Sequence, residues 1–105
     1  MGIPTLNIAL TSAPKTLAHG IYACLISFGG KTYQGAMHFG PRPVFKDTDA
    51  LEVHVLDSII DQPPVSVDLD IIGKIREVKD FPNAEALKEA IAQDIAAARA
   101  MLDAA

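Results

Sequence analysis

The chain has 105 residues, half of them hydrophobic, and a formal net charge of −4. We expect residues 1–105 to form a single domain, because this length supplies one hydrophobic core. The acidic balance and the scatter of Lys and Arg argue against a nucleic-acid partner, since phosphate-backbone binding depends on clustered positive charge. No apolar run approaches the roughly 18 residues of a membrane span, and no signal-peptide layout opens the chain, so a cytoplasmic protein is expected. The single cysteine, Cys24, lies in an apolar run and is predicted to be a core residue.

The first quarter of the chain predicts two extended segments. Residues 1–10 form a short extended segment in which Pro4 removes a ladder donor, so this segment suits a strand start or a sheet edge. Residues 11–19 are predicted to be a loop. Residues 20–28 are rich in β-formers and predict a strand.

A tight hairpin is predicted next. Gly29-Gly30 has the composition of a two-residue primed turn, so residues 31–37 should return antiparallel to the preceding strand. Residues 38–45 contain two prolines around Arg42, which predicts a rigid extended loop or edge. For Arg42 itself, pairing with a nearby carboxylate is the favoured interpretation.

Residues 51–57 alternate apolar and polar side chains in the period of a strand. Glu52 and His54 are spaced i, i+2 and therefore point to the same side of the sheet. Both side chains can move protons, and two interpretations stay open on the residues alone. They are either ordinary surface residues or part of a site.

The second half of the chain predicts one more extended region and a terminal helix. Residues 65–78 alternate as one long or two short strands, with Gly73 as the expected bend or bulge. Asn83 is a good N-cap for a helix of about five turns. The apolar stripe of this helix comprises Leu87, Ile91, Ile95, Ala98 and Leu102. Several short strands followed by one helix predict a mostly β fold, a small barrel or curled sheet with the helix laid on it.

Four stretches in this order resemble the riboflavin kinase family, whose module in bacteria usually forms the C-terminal half of a two-domain FAD synthetase. They are Gly-Ile-Pro-Thr-Leu-Asn at 2–7, His-Gly-Ile-Tyr-Ala at 19–23, Phe-Gly-Pro-Arg-Pro at 39–43 and Leu-Glu-Val-His-Val-Leu-Asp at 51–57. The resemblance continues through residues 75–77, Phe81 and residues 86–89. It therefore covers nearly the whole chain.

The resemblance implies a closed Greek-key β-barrel with a C-terminal α-helix. It also implies transfer of the terminal phosphate of ATP to the 5′-hydroxyl of riboflavin, giving FMN, with Mg²⁺ or another divalent cation. The family's Pro-Thr-x-Asn motif lies at Pro4, Thr5 and Asn7, which would bind the nucleotide. The resemblance also places Thr5 and Asn7 at the metal, and their oxygens are the hard ligands that Mg²⁺ prefers. The competing interpretation is that both are surface residues on one face of an edge strand. The family's Leu-Glu-Val-His motif places the general base at Glu52.

The resemblance places the flavin ring against Arg76, Phe81, Leu87 and Ile91, where the family uses mobile flaps. Core packing is the competing interpretation for Phe81 and Leu87. The implied partners are thus a flavin and an adenine nucleotide.

Departures from the family pattern lie at both the start and the middle of the chain. The family has a glycine-rich strand before the Pro-Thr motif, whereas this sequence begins at Met1-Gly2, and His38 stands where the family has Asn. Val44 replaces the family's Thr, and Pro63-Pro64 replaces its Tyr-Gly turn. From the first departure we expect an open barrel edge and a homodimer formed through it. The alternative function is a non-catalytic flavin-binding or dimerisation module derived from the same barrel.

Overall fold

The computed structural model describes residues 5–8, 16–41, 49–60, 62, 64 and 66–104. The elements are β1 (Thr5–Ile8), β2 (Gly20–Phe28), β3 (Lys31–Pro41), β4 (Asp49–Val55), β5 (Asp68–Arg76) and α1 (Ala84–Ala104). The strands form one antiparallel sheet in the order β1-β4-β3-β2-β5. The predicted mostly β fold with a C-terminal helix is confirmed.

The strand order is that of a Greek key. Strands β2, β3 and β4 are successive neighbours, β1 lies beside β4, and β5 lies beside β2. In a Greek key, three consecutive strands are neighbours and the fourth returns to lie beside the first of them. Here the three are β2, β3 and β4, and β5 returns to β2. Within the described residues the sheet is open, since β1 and β5 are its two edges and do not pair with each other. The closure of the expected barrel is therefore not seen in this part of the chain.

The β2–β3 hairpin follows the prediction at its turn. Gly29 and Gly30 have φ values of 59° and 78°, the left-handed conformation that a type I′ turn needs at both central residues. Strand β3, however, continues to Pro41 and lies between β2 and β4. The prediction of a loop or edge was thus wrong for residues 38–41. Pro41 is the last residue of the strand. At this position the absence of a backbone N–H on proline disrupts little of the hydrogen bonding between strands.

Strand β5 contains two irregularities in its pairing with β2. One register shift lies between the pairs Cys24–Ile71 and Ala23–Gly73, so the bulge predicted at Gly73 is confirmed. A second shift lies nearer the end of the strand, before the pair of Ile21 with Arg76. Each bulge adds one unpaired residue to β5. Together they bring Arg76 opposite Ile21.

Two hydrophobic clusters cover the two faces of the sheet. The larger cluster has no helix residue and consists of Leu6, Tyr22, Cys24, Ile26, Met37, Leu51, Val53 and Val55. Cys24 is fully buried, as predicted, and burial together with the nearby Asp70 raises the pKa of its thiol to about 12. The second cluster joins Ala23 and Ala36 of the sheet to α1. Small side chains on the sheet let the helix approach closely there.

Helix α1 begins as its sequence predicts. The Asn83 side-chain oxygen accepts a hydrogen bond from the Ala86 N–H at 2.9 Å, which is the N-cap interaction. In the C-terminal half of the helix, Ile95, Ala98 and Leu102 are buried against the sheet. Among the described residues, no helix combines the length and the apolar character that crossing a membrane requires.

Candidate active site

One row of paired residues crosses the whole sheet, with one residue from each strand. Asn7 pairs with Glu52, Glu52 with His38, His38 with Ile21, and Ile21 with Arg76. Directly paired residues in an antiparallel sheet project from the same face. This is the face that α1 covers, because Ala23, two residues after Ile21, packs against the helix. Asn7, Glu52 and Arg76 therefore lie in one row. The sequence analysis had proposed them for nucleotide binding, proton removal and flavin binding, respectively.

A cavity of about 130 Å³ lies between this row, the first turns of α1 and the segment that joins β5 to the helix. Its apolar lining includes Ile21, Ala36, Val78, Phe81, Leu87 and Ile91. Its ionisable lining consists of His38, Glu52, His54, Arg76, Lys79 and Asp94. Glu52 and the four residues predicted to contact the flavin thus border the same cavity. Their contacts with a ligand remain predictions.

Arg76 is the structural anchor of the cavity wall. Its Nε and one terminal nitrogen donate to the two carboxylate oxygens of Asp94 at 2.7 and 2.8 Å, a bidentate pair. Its other terminal nitrogen donates to the Glu77 carbonyl at 3.0 Å. The guanidinium also lies 5.5 Å from the ring centre of Phe81, within cation–π range. Arg76 therefore ties together β5, α1 and the connecting segment.

The two histidines in the cavity differ in their hydrogen bonding. His54 Nδ1 shares a hydrogen bond of 2.9 Å with the Thr5 hydroxyl. Neither ring nitrogen of His38 makes a hydrogen bond of good geometry within the described part of the chain, although the Pro41 carbonyl lies near the ring. Burial lowers the pKa of both rings and outweighs the opposing effect of Glu52, so both are neutral near pH 7.

Thr5 and Asn7 lie on one face of the edge strand β1, and both are exposed. They border a separate depression of about 170 Å³ with Pro64 and do not line the main cavity. Their distance from the main site is nevertheless short, because Asn7 is the cross-strand partner of Glu52 and Thr5 that of His54. Pro4, the third residue of the predicted nucleotide motif, lies outside the described residues. So does Arg42.

The chemistry of Thr5 and Asn7 fits a hard divalent cation. In the described ranges, no three or more His, Cys, Asp or Glu side chains are grouped so as to hold a metal ion. A hydroxyl and an amide oxygen at i, i+2 offer instead two neutral oxygen ligands. Mg²⁺ is commonly bound in this way, with few protein ligands and the remainder from phosphates and water.

Three ionisable residues of the cavity were missed by sequence reasoning: His38, Lys79 and Asp94. His38 was placed in a rigid extended loop or edge because of the prolines that follow it. Asp94 is buried, and a signal for it was available. It lies seven residues after Leu87 and directly before Ile95, within the apolar stripe of the helix. An acid on the buried side of an amphipathic helix predicts a basic partner, which here is Arg76.

The lining of the cavity is that of a small-molecule site, apolar with a few convergent polar groups. The chain belongs to the riboflavin kinase family, whose model matches residues 1–102. It is 38% identical over 103 residues to the bifunctional riboflavin kinase/FMN adenylyltransferase of Pseudomonas fluorescens, covering 96% of this chain and 33% of that protein. It is 28% identical over 109 residues to human riboflavin kinase, covering 98% of this chain and 70% of that protein.

The fold is also shared with a solved structure. The crystal structure of a macrolide-efflux protein from Streptococcus pneumoniae superimposes with a TM-score of 0.77 at 21% sequence identity, over 92% of this chain and 32% of that one. This likeness concerns the fold alone. The chain spans about one third of the length of its bacterial relatives from Pseudomonas and Buchnera.

Proposed function

We propose that this chain transfers the γ-phosphate of ATP to the 5′-hydroxyl of riboflavin. The observation that carries the proposal is the position of Glu52, a carboxylate at the border of an apolar cavity and next to Asn7 on the edge strand. This arrangement lets one substrate lie in the cavity and the other along β1. The attacking hydroxyl then meets the phosphate beside Glu52.

In this reaction the 5′-oxygen of riboflavin forms a bond to the γ-phosphorus, and the bond from that phosphorus to the bridging oxygen of ADP breaks. Glu52 accepts the proton that the hydroxyl loses. Phosphoryl transfer makes modest demands on acid–base chemistry, because positioning and charge neutralisation supply most of the acceleration. The remaining task of the chain is therefore to hold two substrates in line.

The apolar lining supports a flavin ring as the ligand of the cavity. Phe81, Leu87 and Ile91 would contact its faces and edges, and Arg76 would hold Phe81 in place. The cavity of about 130 Å³ is smaller than the roughly 300–1,000 Å³ of typical ligand pockets. A neighbouring cleft of about 450 Å³ shares Val78 and Lys79 with it. We infer that the segment around these two residues moves to admit the ring.

Thr5 and Asn7 would hold Mg²⁺ and the nucleotide phosphates, and Pro4 would precede them in the same motif. The ion, when bound, supplies charge neutralisation at the phosphates. Because the reaction consumes ATP, we also propose that the protein acts in the cytoplasm.

The direct test is to incubate the purified chain with riboflavin, ATP and MgCl₂ and to separate FMN by chromatography. FMN should form only when all three are present, and addition of EDTA should stop its formation. Tight binding of riboflavin without FMN formation would contradict the kinase proposal and would favour a non-catalytic flavin-binding module.

Thr5→Ala should weaken binding of Mg·ATP about tenfold or more, because a hydrogen bond or ligand to a charged group is lost. Riboflavin binding should change much less. Calorimetric titration with each ligand separates the two effects, and Thr5→Ser should retain nucleotide binding. Thr32→Ala, which removes a hydroxyl bonded to Ser27 in the hairpin, is the matched control. Equal losses for both ligands in Thr5→Ala would indicate a folding defect instead.

We further propose that the chain forms a two-fold dimer through its sheet edges. Strand β5 pairs with β2 alone among the described strands, so its outer side offers N–H and C=O groups to a second copy. Light scattering at micromolar concentration should give a mass near twice 11.2 kDa. A mass of 11.2 kDa across that concentration range would contradict the dimer.

A further inference from the structure

His38 is held in the middle of the site by both of its neighbouring strands. On β3 it lies opposite Glu52 of β4 and opposite Ile21 of β2, and all three line the cavity. Residues paired directly across antiparallel strands have their Cβ atoms about 4.5–5.5 Å apart. His38 and Glu52 are thus adjacent polar groups on one wall.

The ring of His38 has unused hydrogen-bonding capacity. Both of its nitrogens are shielded from solvent, and neither makes a hydrogen bond of good geometry within the described part of the chain. The Pro41 carbonyl lies near enough to the ring to act on its pKa, which leaves at least the other nitrogen for a ligand. Native proteins pair nearly all such buried groups, because leaving one unpaired is unfavourable. Burial lowers the pKa of the ring, and the positive charge of Arg76 acts in the same direction. The neutral ring offers one N–H donor and one acceptor, the same combination as an alcohol.

The other polar groups of the wall are already engaged. His54 bonds to Thr5, and Arg76 bonds to Asp94 and to the Glu77 carbonyl. Lys79 is exposed and lies over Phe81, 5.4 Å from its ring centre. This leaves His38 and Glu52 as the neighbouring pair of polar side chains that face the cavity.

We propose that His38 binds the polyol chain of the flavin, exchanging a hydrogen bond with a ribityl hydroxyl next to the one that Glu52 deprotonates. This inference rests on the proposed function, since it takes the position of the 5′-hydroxyl from Glu52. The ribityl chain carries a hydroxyl on each of several successive carbons. The distance between two such neighbouring hydroxyls is shorter than the distance between the Cβ atoms of the paired residues His38 and Glu52. Adjacent side chains on the wall can therefore hold nearby hydroxyls of one chain, and His38 orients the substrate for attack.

The test compares two ligands that differ only in the polyol. Riboflavin carries the ribityl chain, whereas lumiflavin has a methyl group in its place. His38→Phe keeps a planar ring without nitrogens and should weaken riboflavin binding about tenfold, the loss of one buried hydrogen bond. Lumiflavin binding should stay within about twofold. Both affinities are measured by the change in flavin fluorescence on titration with protein.

Two further variants keep the inference falsifiable. His38→Asn restores a donor and an acceptor and should return riboflavin affinity to within about threefold of the wild type. Thr32→Ala, at a hydroxyl bonded to Ser27 in the β2–β3 hairpin away from the cavity, should leave both affinities unchanged. Equal weakening of both ligands by His38→Phe, or of neither, would overturn the polyol contact. A wild-type chain that binds no riboflavin would instead overturn the proposed function itself.

Discussion

Replacing Glu52 by glutamine is expected to lower the rate of FMN formation about 10²–10⁴-fold, the usual effect of removing a general base. The amide keeps the size and much of the hydrogen bonding of the carboxylate, but it cannot accept the proton of the attacking hydroxyl at neutral pH. Riboflavin affinity should therefore change only a few fold, because the apolar lining of the cavity is intact.

Single-turnover measurements with saturating ATP and riboflavin separate this chemical step from binding. The matched control is Glu89→Gln, at an exposed position on α1, which should retain the wild-type rate. If Glu52→Gln kept most of the wild-type rate, Glu52 would not be the base. If it lost riboflavin binding to the same extent as turnover, the carboxylate would be needed for binding.

Asp94→Asn is expected to lower the free energy of unfolding by about 1–3 kcal/mol, because it leaves the charge of Arg76 without its carboxylate partner. Fully buried pairs lose about 3–5 kcal/mol in such a change. We expect less here, since 24% of the Arg76 side chain is exposed, against 8% for Asp94, and solvent screens part of the interaction. Riboflavin affinity should fall as well, because Arg76 then no longer fixes Phe81.

Urea unfolding followed by circular dichroism measures the change in stability. Asp57→Asn is the control, since the Asp57–Arg99 pair is exposed on both sides. The same chemical change should leave the urea midpoint unaltered there. Removing both charges, with Arg76→Met and Asp94→Leu, should recover much of the stability but not the flavin affinity. Wild-type stability in Asp94→Asn would show that the pair contributes nothing to the fold.

Local sequence signals predicted most of the elements. The β-formers of residues 20–28, the two glycines after them and the Asn83 cap each carry their own structural preference, and the structure has all three where they were expected. The error at residues 38–41 arose because a proline-rich segment was judged by itself. Pairing with β2 and β4 outweighed that local preference.

The alternation of apolar and polar residues along each strand was not enough to locate the candidate site. A period of two tells which face a side chain occupies, but not which residue of the next strand lies opposite it. The row from Asn7 to Arg76 is set by register, and its last member by the two bulges of β5. The family resemblance supplied Glu52 and Arg76. His38 is recognised as a site residue only from the strand pairing, which places it directly opposite Glu52.

The buried thiol of Cys24 gives the molecule an internal reporter. It is the single sulfhydryl of the chain, it is inaccessible on β2 between two paired strands, and its high pKa leaves almost no thiolate at neutral pH. Alkylation by iodoacetamide must therefore wait until the sheet opens. When closing is faster than labelling, the labelling rate measures the population of opened molecules. Mass spectrometry of alkylated chain, with and without each substrate, would thus measure ligand binding from the protection of one sulfur atom.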